Sequence, residues 1–195
     1  MGKHIEADIT VSMATLNGEF LKRQSAARLC KIADELASKG DHIAALRVLN
    51  FAAGKYPDNP RVCQLKGYSL LSLRHFGAAL SSFRKCLALV PQRTHYHFYS
   101  GKVYAAMKKY HLAINEYRKA MNSRWPYSSK TFTNAVIYRQ MAFTYISWRK
   151  PGEALWAYEQ EEVKEIFGAP LRKRIEVLKR KHIRPKTPAW ACDNI

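Results

Sequence analysis

Acidic side chains are nearly missing from the middle of this 195-residue sequence. Between Asn59 and Gly152 there is one, Glu116, against sixteen lysines and arginines. The flanking segments are almost balanced, with eight basic and seven acidic residues before Asn59, and nine and seven after Gly152. Most of the net charge of +18 therefore belongs to the central segment. Repulsion between so many positive charges disfavours a compact state. An acidic partner therefore explains the excess of positive charge better than a solvated surface does.

Long apolar runs and closely spaced cysteines are also absent. No stretch of about 18 apolar residues occurs, so we expect no membrane insertion. The first six residues lack the apolar core of a signal peptide. None of the four cysteines lies within four residues of another, so no zinc or redox pair is indicated. We expect a reducing compartment, the cytoplasm, and leave association with the cytoskeleton or nucleus open.

Motifs for chemistry are lacking as well. No glycine-rich phosphate loop follows a predicted strand. His95 and His97 are two residues apart, which on a helix points the rings to different sides, and no third ligand is near in sequence. The four glutamates between 159 and 165 have no histidine or nucleophile beside them and are expected to pair with nearby lysines. The sequence therefore predicts no enzyme, no metal, no cofactor and no small-molecule substrate.

What the sequence does contain is a repeat with a period of 34 residues. Pro57 is followed at that distance by Pro91, and Gly67 by Gly101. Such self-similarity at a fixed period is the signature of a repeat protein. Four more columns share the period: Leu36, Leu70 and Tyr104; Ala45, Ala79 and Ala113; Leu49, Phe83 and Tyr117; Ala52, Cys86 and Ala120.

These columns predict a pair of antiparallel helices in each repeat. The small residues mark the place where the two helices cross closely, and the large residues fill the space beside it. Pro57 and Pro91 end the second helix of their repeats, because proline cannot continue the hydrogen-bonded turn. Breaks between paired helices are predicted at 39–41, 74–77, 108–110 and 149–152.

Small, aromatic and proline positions at this spacing resemble the tetratricopeptide repeat. The resemblance, over about residues 26–165, implies an all-α fold: a right-handed superhelix, or solenoid, of three to four helix-turn-helix repeats with a C-terminal capping helix. The predicted division is an N-terminal extension at 1–18, a repeat domain at 19–167, a basic capping helix at 168–184 and a tail at 185–195. The repeats within it are 26–59, 60–93, 94–127 and 135–167.

Three details of this division depend on single segments. The fourth repeat is displaced by seven residues, which predicts an enlarged turn from Tyr127 to Asn134. The segment from Asn17 to Ser25 is expected to extend the first helix. The capping helix is expected to begin after Gly168 and Pro170, and Trp190 in the tail to dock on the body or on a partner.

The family resemblance also implies a binding site, because the first helix of each repeat lines a concave groove in which partners usually lie. Cationic and aromatic side chains would share that groove, which suits an acidic peptide with apolar side chains. Carried over by register, the predicted groove residues are Arg61, Gln64 and Tyr68; His95, Phe98 and Lys102; and Arg139 and Phe143. For the three aromatic rings, packing between helices is a nearly equal alternative.

A subset of the family grips the C-terminal carboxylate of heat-shock chaperones with a lysine and an asparagine on the first repeat. The matching positions here hold Cys30 and Asp34, and the later positions, which include Gln64 and His95, supply no lysine–arginine pair. We therefore do not expect this chain to be a co-chaperone of that type.

The leading functional hypothesis is a non-catalytic protein-interaction scaffold, or a structural subunit of a larger assembly, that binds an acidic protein or peptide. A microtubule is one acidic polymer of the required kind. Two alternatives stay open. One is binding of RNA or another nucleic acid through the basic central repeats. The other is a chaperone for a secretion or assembly client, although small repeat proteins of that class are usually acidic.

Overall fold

All regular secondary structure in the described residues of this computed structural model is helical. These residues are 18–91, 93, 95–121, 134–181 and 183–192, with the backbone alone for 161–170. The helices are α1 Gly18–Arg23, α2 Ala26–Ser38, α3 His42–Lys55, α4 Pro60–Ser72, α5 Phe76–Leu89, α6 His95–Ala106, α7 Tyr110–Met121, α8 Asn134–Ser147, α9 Pro151–Tyr158, α10 Glu161–Arg180 and α11 Ala189–Cys192.

The helices pack as consecutive pairs within two compact units. The first unit, residues 1–89, contains the pairs α2–α3 and α4–α5. The second, residues 90–195, contains α6–α7 and α8–α9, and α10 packs on both helices of the latter pair. The prediction of an all-α fold built from paired helices and a C-terminal capping helix is confirmed.

The first helix of every pair ends in the same way. A residue with left-handed backbone follows it: Gly40, Arg74, Lys108 and Arg149, with φ of 86°, 62°, 60° and 59°. The amide of the next residue then donates to the carbonyl five positions back, as from Asp41 to Leu36 and from Lys109 to Tyr104. This hydrogen-bond pattern closes a helix and reverses the chain. The predicted breaks between paired helices are therefore confirmed.

Small residues permit the close packing inside each pair. Ala33 and Ala45 are buried in the first pair, and Ala142 and Ala154 in the last. In the other two pairs the small residue is a glycine that faces a large ring. A Cβ on Gly67 would lie 2.7 Å from the ring of Phe83, and one on Gly101 would lie 2.4 Å from the ring of Tyr117. Glycine is required at these two positions because the rings of Phe83 and Tyr117 lie where a Cβ would be.

The helix starts follow ordinary capping chemistry. The side chains of Ser25, Asp41 and Asn59 accept hydrogen bonds from the first free amides of α2, α3 and α4. Pro60 and Pro151 occupy the first turns of α4 and α9, where a missing amide costs nothing. The side-chain caps fix where α2, α3 and α4 begin.

The N-terminal segment differs from the prediction. Instead of extending the first helix, it forms the separate helix α1, and the chain breaks at Gln24 and Ser25. The reason is that Ser25 has an extended backbone and caps α2 with its side chain. Leu21 on α1 is buried against the core of the first unit, so the segment still covers that end.

The predicted start of the capping helix at 168 was wrong. Helix α10 begins at Glu161 and continues through Gly168 and Pro170. Packing of α10 along α8 and α9 outweighs the cost of proline within the helix. The Lys179 ammonium also pairs with the Glu159 carboxylate at 2.8 Å, as expected for a carboxylate of this segment. The predicted turn at 127–133 lies outside the described residues.

Replacement of Gly67 by alanine tests the crossing constraint. Alanine favours a helix by about 1 kcal/mol over glycine, yet here its Cβ would overlap the buried Phe83 ring. We expect Gly67→Ala to destabilise the first unit by about 1–3 kcal/mol. Thermal unfolding followed by circular dichroism at 222 nm measures it.

Gly54→Ala is the matched control, since nothing lies within 4 Å of a Cβ at this exposed position of α3. It should raise the melting temperature or leave it unchanged. Equal effects of the two substitutions would contradict the packing argument.

Candidate partner-binding site

In the first unit, the predicted groove cation is already neutralised. The Arg61 guanidinium, on α4, lies 3.1 Å from the Asp34 carboxylate on α2. Cys30, one turn before Asp34, is 7% exposed, and burial raises the pKa of its thiol. This face therefore presents an internal ion pair beside a neutral buried thiol.

The two other groove residues of this unit lie beside that ion pair on α4. Gln64 donates a long hydrogen bond of 3.5 Å to the Tyr68 hydroxyl. The Tyr68 ring meets the buried Phe83 ring edge to face, with centroids 5.9 Å apart. The side chains of Gln64 and Tyr68 are half-buried. The Tyr68 ring therefore packs on the core with one part and leaves another part exposed.

In the second unit, the surroundings of the predicted groove cation Lys102 are different. Lys102 on α6 is half-buried, and that burial lowers the pKa of its ammonium. The positive charge of Arg139 on α8 lowers it further. Within the described part of the chain, no carboxylate forms an ion pair with Lys102. The fold thus brings Arg139 close to Lys102, and both burial and repulsion oppose the positive charge of Lys102.

A third cation reaches this place from α10, and the sequence analysis missed it. The Arg174 guanidinium lies over the Phe143 ring, 4.7 Å from its centroid. Burial raises the pKa of the Tyr158 hydroxyl, and the nearby charges of Arg174 and Arg139 oppose that rise. Arg174 belongs to the basic face expected for the capping helix, but only packing of α10 on α8 shows that it joins the groove residues.

The two remaining predicted groove residues of the second unit, Phe98 and His95, are less exposed than residues that line an open groove. Phe98 is 5% exposed and contacts the buried Tyr117 ring, with centroids 5.7 Å apart. This is the packing alternative, and Phe98 offers a partner little surface. His95 is half-buried beside Tyr96 and Tyr99. Burial lowers the pKa of His95 to about 4, with a further lowering from Arg93, so the ring is neutral near pH 7.

Glu116 is the one acid of the central segment, and its charge is used inside the fold. The carboxylate is 15% exposed and lies 2.8 Å from His97 Nδ1 on α6 and 2.7 Å from Lys119 Nζ on α7. Burial opposes ionisation, but the hydrogen bonds from His97 and Lys119 hold the pKa of Glu116 below its usual value. It therefore cannot serve as the counter-ion of Lys102.

Among the described residues, no group of three histidine, cysteine, aspartate or glutamate side chains could hold a metal ion. No described helix is both long and apolar enough to cross a membrane.

The family model of the tetratricopeptide repeat matches residues 60–93, which are the residues of the second predicted repeat. This match identifies one tetratricopeptide repeat in the chain, and the other helix pairs share its left-handed turns and its close crossings. The chain therefore resembles the tetratricopeptide repeat family. Among curated proteins it is 25% identical over 118 residues to the Hsp70-Hsp90 organising protein of Plasmodium falciparum. That match covers 60% of this chain, which spans only about a fifth, 21%, of the relative's length.

Solved structures show the same fold at low sequence identity. A crystal structure of MamA has a TM-score of 0.61 at 19% identity, with 78% of this chain and 86% of MamA covered. PilF of Pseudomonas aeruginosa has a TM-score of 0.67 at 14% identity, with 80% and 68% covered. At these identities the likeness shows the fold of a tetratricopeptide repeat solenoid and nothing of the partner.

The lowered pKa of His95 predicts loss of stability in acid. The unfolded histidine has a pKa of about 6.5 and the folded one about 4, so between these values the unfolded chain binds more protons. Its contribution to the free energy of unfolding is complete above about pH 6.5 and falls as the pH drops towards 4. His95→Gln should flatten this dependence.

Urea unfolding at several pH values, followed by indole fluorescence, measures this dependence, because Trp148, Trp156 and Trp190 belong to the second unit. His75→Gln, at an exposed position, is the control. If the free energy of unfolding of His95→Gln depended on pH as steeply as that of the unaltered protein, burial of His95 would not be the cause.

Proposed function

We propose that this protein is a non-catalytic scaffold that binds an acidic segment of a partner protein on the α6–α8–α10 face of the second unit. The face consists of Lys102, Arg139, Phe143 and Arg174. Carboxylates of the partner would take charge-assisted hydrogen bonds from the cations. Apolar side chains of the partner would pack on the partly open Phe143 ring.

The observation that carries the proposal is the half-buried ammonium of Lys102. Burial and the neighbouring Arg139 both disfavour its charge, as the lowered pKa records. A cation in such surroundings contributes little to folding and gains most from an added negative charge. Because the site is partly shielded from water, a carboxylate bound there interacts more strongly than one at an open surface.

We expect the first unit to bind carboxylates of a partner more weakly than the second unit does. Arg61 already has Asp34 as its partner, and a second carboxylate would meet the Asp34 charge. The same argument bears on the Hsp70-Hsp90 organising relative. The two positions that would grip a chaperone carboxylate hold the buried Cys30 and the acidic Asp34, so we do not extend that partner to this chain.

Other partners fit parts of the same chemistry. An acidic polymer such as a microtubule would present many carboxylates to the cationic face. RNA would present phosphates, with a steep dependence of affinity on salt. A secretion or assembly client would instead require an extended apolar contact, which the Arg174-covered ring of Phe143 favours least.

Charge reversal at Lys102 tests the proposal. A decapeptide of alternating glutamate and glycine is the probe, measured by calorimetry at low salt. We expect Lys102→Glu to weaken binding about tenfold, because it replaces the most shielded cation by a like charge of the ligand.

Lys173→Glu is the matched control, since it makes the same charge change at an exposed residue beside Arg174. Arg61→Glu should matter less than Lys102→Glu. Equal losses in Lys102→Glu and Lys173→Glu, or unchanged binding in Lys102→Glu, would contradict the proposed site. A uridine decanucleotide that binds more tightly than the peptide, with the same sensitivity to Lys102→Glu, would favour RNA.

A further inference from the structure

The C-terminal tail folds back onto the second unit and is held by Trp190. The indole Nε1–H donates to the Tyr145 hydroxyl at 3.0 Å. The ring meets Trp156 edge to face, with centroids 5.5 Å apart, and the Arg118 guanidinium lies 5.0 Å from the Trp190 centroid. These contacts come from α7, α8 and α9, so one side chain ties the tail to three helices.

A second attachment brings the tail backbone onto the start of α9. The Lys186 amide donates to the Gly152 carbonyl at 2.9 Å. A Cβ on Gly152 would lie 3.0 Å from the Arg184 carbonyl oxygen and 3.0 Å from the Lys186 Cβ. Glycine at 152 is therefore what allows the tail to approach so closely.

Between the docked tail and the helices lies a cavity of about 460 Å³ that is open to solvent. This volume falls in the usual range for ligand pockets. Its apolar wall is formed by Ile114, Tyr145, Trp148, Pro188 and Trp190. The lining comes from α7, the end of α8, the turn before α9, the first turn of α9 and the tail, and it includes none of Lys102, Arg139, Phe143 and Arg174.

Positive charge surrounds this apolar wall. Arg118, Lys150 and Lys186 line the cavity together with His111, and Glu153 is the one acid among the described residues of the lining. Lys150 lies over the Trp148 ring at 3.8 Å, and Arg118 lies over Trp190. None of the lysines and arginines that line the cavity forms an ion pair with another described residue. The charges of Lys150 and Arg118 lie against aromatic faces, which leaves them available to an anion.

We propose that this cavity is a second binding site, for an apolar side chain of a partner peptide flanked by carboxylates. The apolar wall takes the side chain, and Lys150, Arg118 and Lys186 take the carboxylates. The tail is part of the site, because it supplies Lys186, Pro188 and Trp190. The inference does not depend on the face proposed above, since no residue is shared. Charge complementarity also argues against a second copy of this basic chain as the occupant.

The probe for the test is acetyl-Glu-Glu-Leu-Phe-Glu-Glu-amide, and its binding is followed by indole fluorescence, since Trp148 and Trp190 line the cavity. We expect saturable binding that Lys150→Glu weakens about tenfold. Gly152→Val should weaken it similarly, because the added side chain displaces the tail without removing a cation. Trp190→Ala removes the same wall and serves if Gly152→Val does not fold.

Three comparisons complete the test. Lys109→Glu, just before α7 and outside the cavity lining, changes the charge equally and should leave the dissociation constant within about twofold. Lys102→Glu should also leave it unchanged. Acetyl-Glu-Glu-Gly-Gly-Glu-Glu-amide, which has the charge without the apolar side chains, should bind about tenfold more weakly than the probe.

Several outcomes would overturn the proposal. These are no saturable binding to the unaltered protein, binding insensitive to Lys150→Glu, or equal binding of the glycine peptide. Binding lost in Lys102→Glu and kept in Lys150→Glu would assign the peptide to the α6–α8–α10 face, which sinks this site and supports the other. A uridine decanucleotide that binds in a Lys150-dependent manner while the peptide does not would replace the peptide by nucleic acid.

Discussion

The arrangement of the described helices depends on one steric condition, the close approach of two helices at small residues. In the first and last pairs, the buried alanines Ala33 and Ala142 occupy this position. Where the opposite side chain is Phe83 or Tyr117, the facing residue must lose its Cβ altogether, as Gly67 and Gly101 have done. The left-handed turns follow from the same condition, because the second helix must return directly along the first. With these contacts fixed, the first helices of the second unit bring Lys102 and Arg139 close together.

The two units differ in which of their cations are paired with carboxylates. In the first unit, Asp34 pairs with Arg61 and Asp58 lies 3.8 Å from Lys85. In the second, Glu116 is committed to joining α6 and α7. Six cations of the second unit form two groups. Lys102, Arg139 and Arg174 gather on the first-helix side, and Arg118, Lys150 and Lys186 line the cavity beside the tail.

Much of the fold could be predicted from the sequence, because its signals are local and repeated. The period of 34 residues placed the helix breaks correctly, including the turn before Pro151. The path of the chain through Pro170 could not be predicted, since local preference argued for a helix boundary there and tertiary packing prevailed. Nor did the period reveal that the Ser25 cap separates α1 from α2.

The candidate site was less predictable, because it depends on contacts between residues far apart in sequence. Register alone selected Lys102 and Arg139, and the fold brings them close together. Register could not find Arg174, which reaches Phe143 only when α10 lies on α8. It also could not separate Phe98, which is buried, from Phe143, which is partly open. The tail site depends on Trp190, whose docking no periodic pattern encodes.

The central claim is that the charge at Lys102 serves binding at the expense of folding. The most direct measurement is the free energy of unfolding of Lys102→Met, together with its affinity for the alternating glutamate–glycine decapeptide. Methionine keeps the length of the side chain and removes the disfavoured charge. The account predicts equal or greater stability together with weaker binding, whereas Lys173→Met changes neither. A less stable Lys102→Met, or one that binds the peptide as tightly as the unaltered protein, would contradict it.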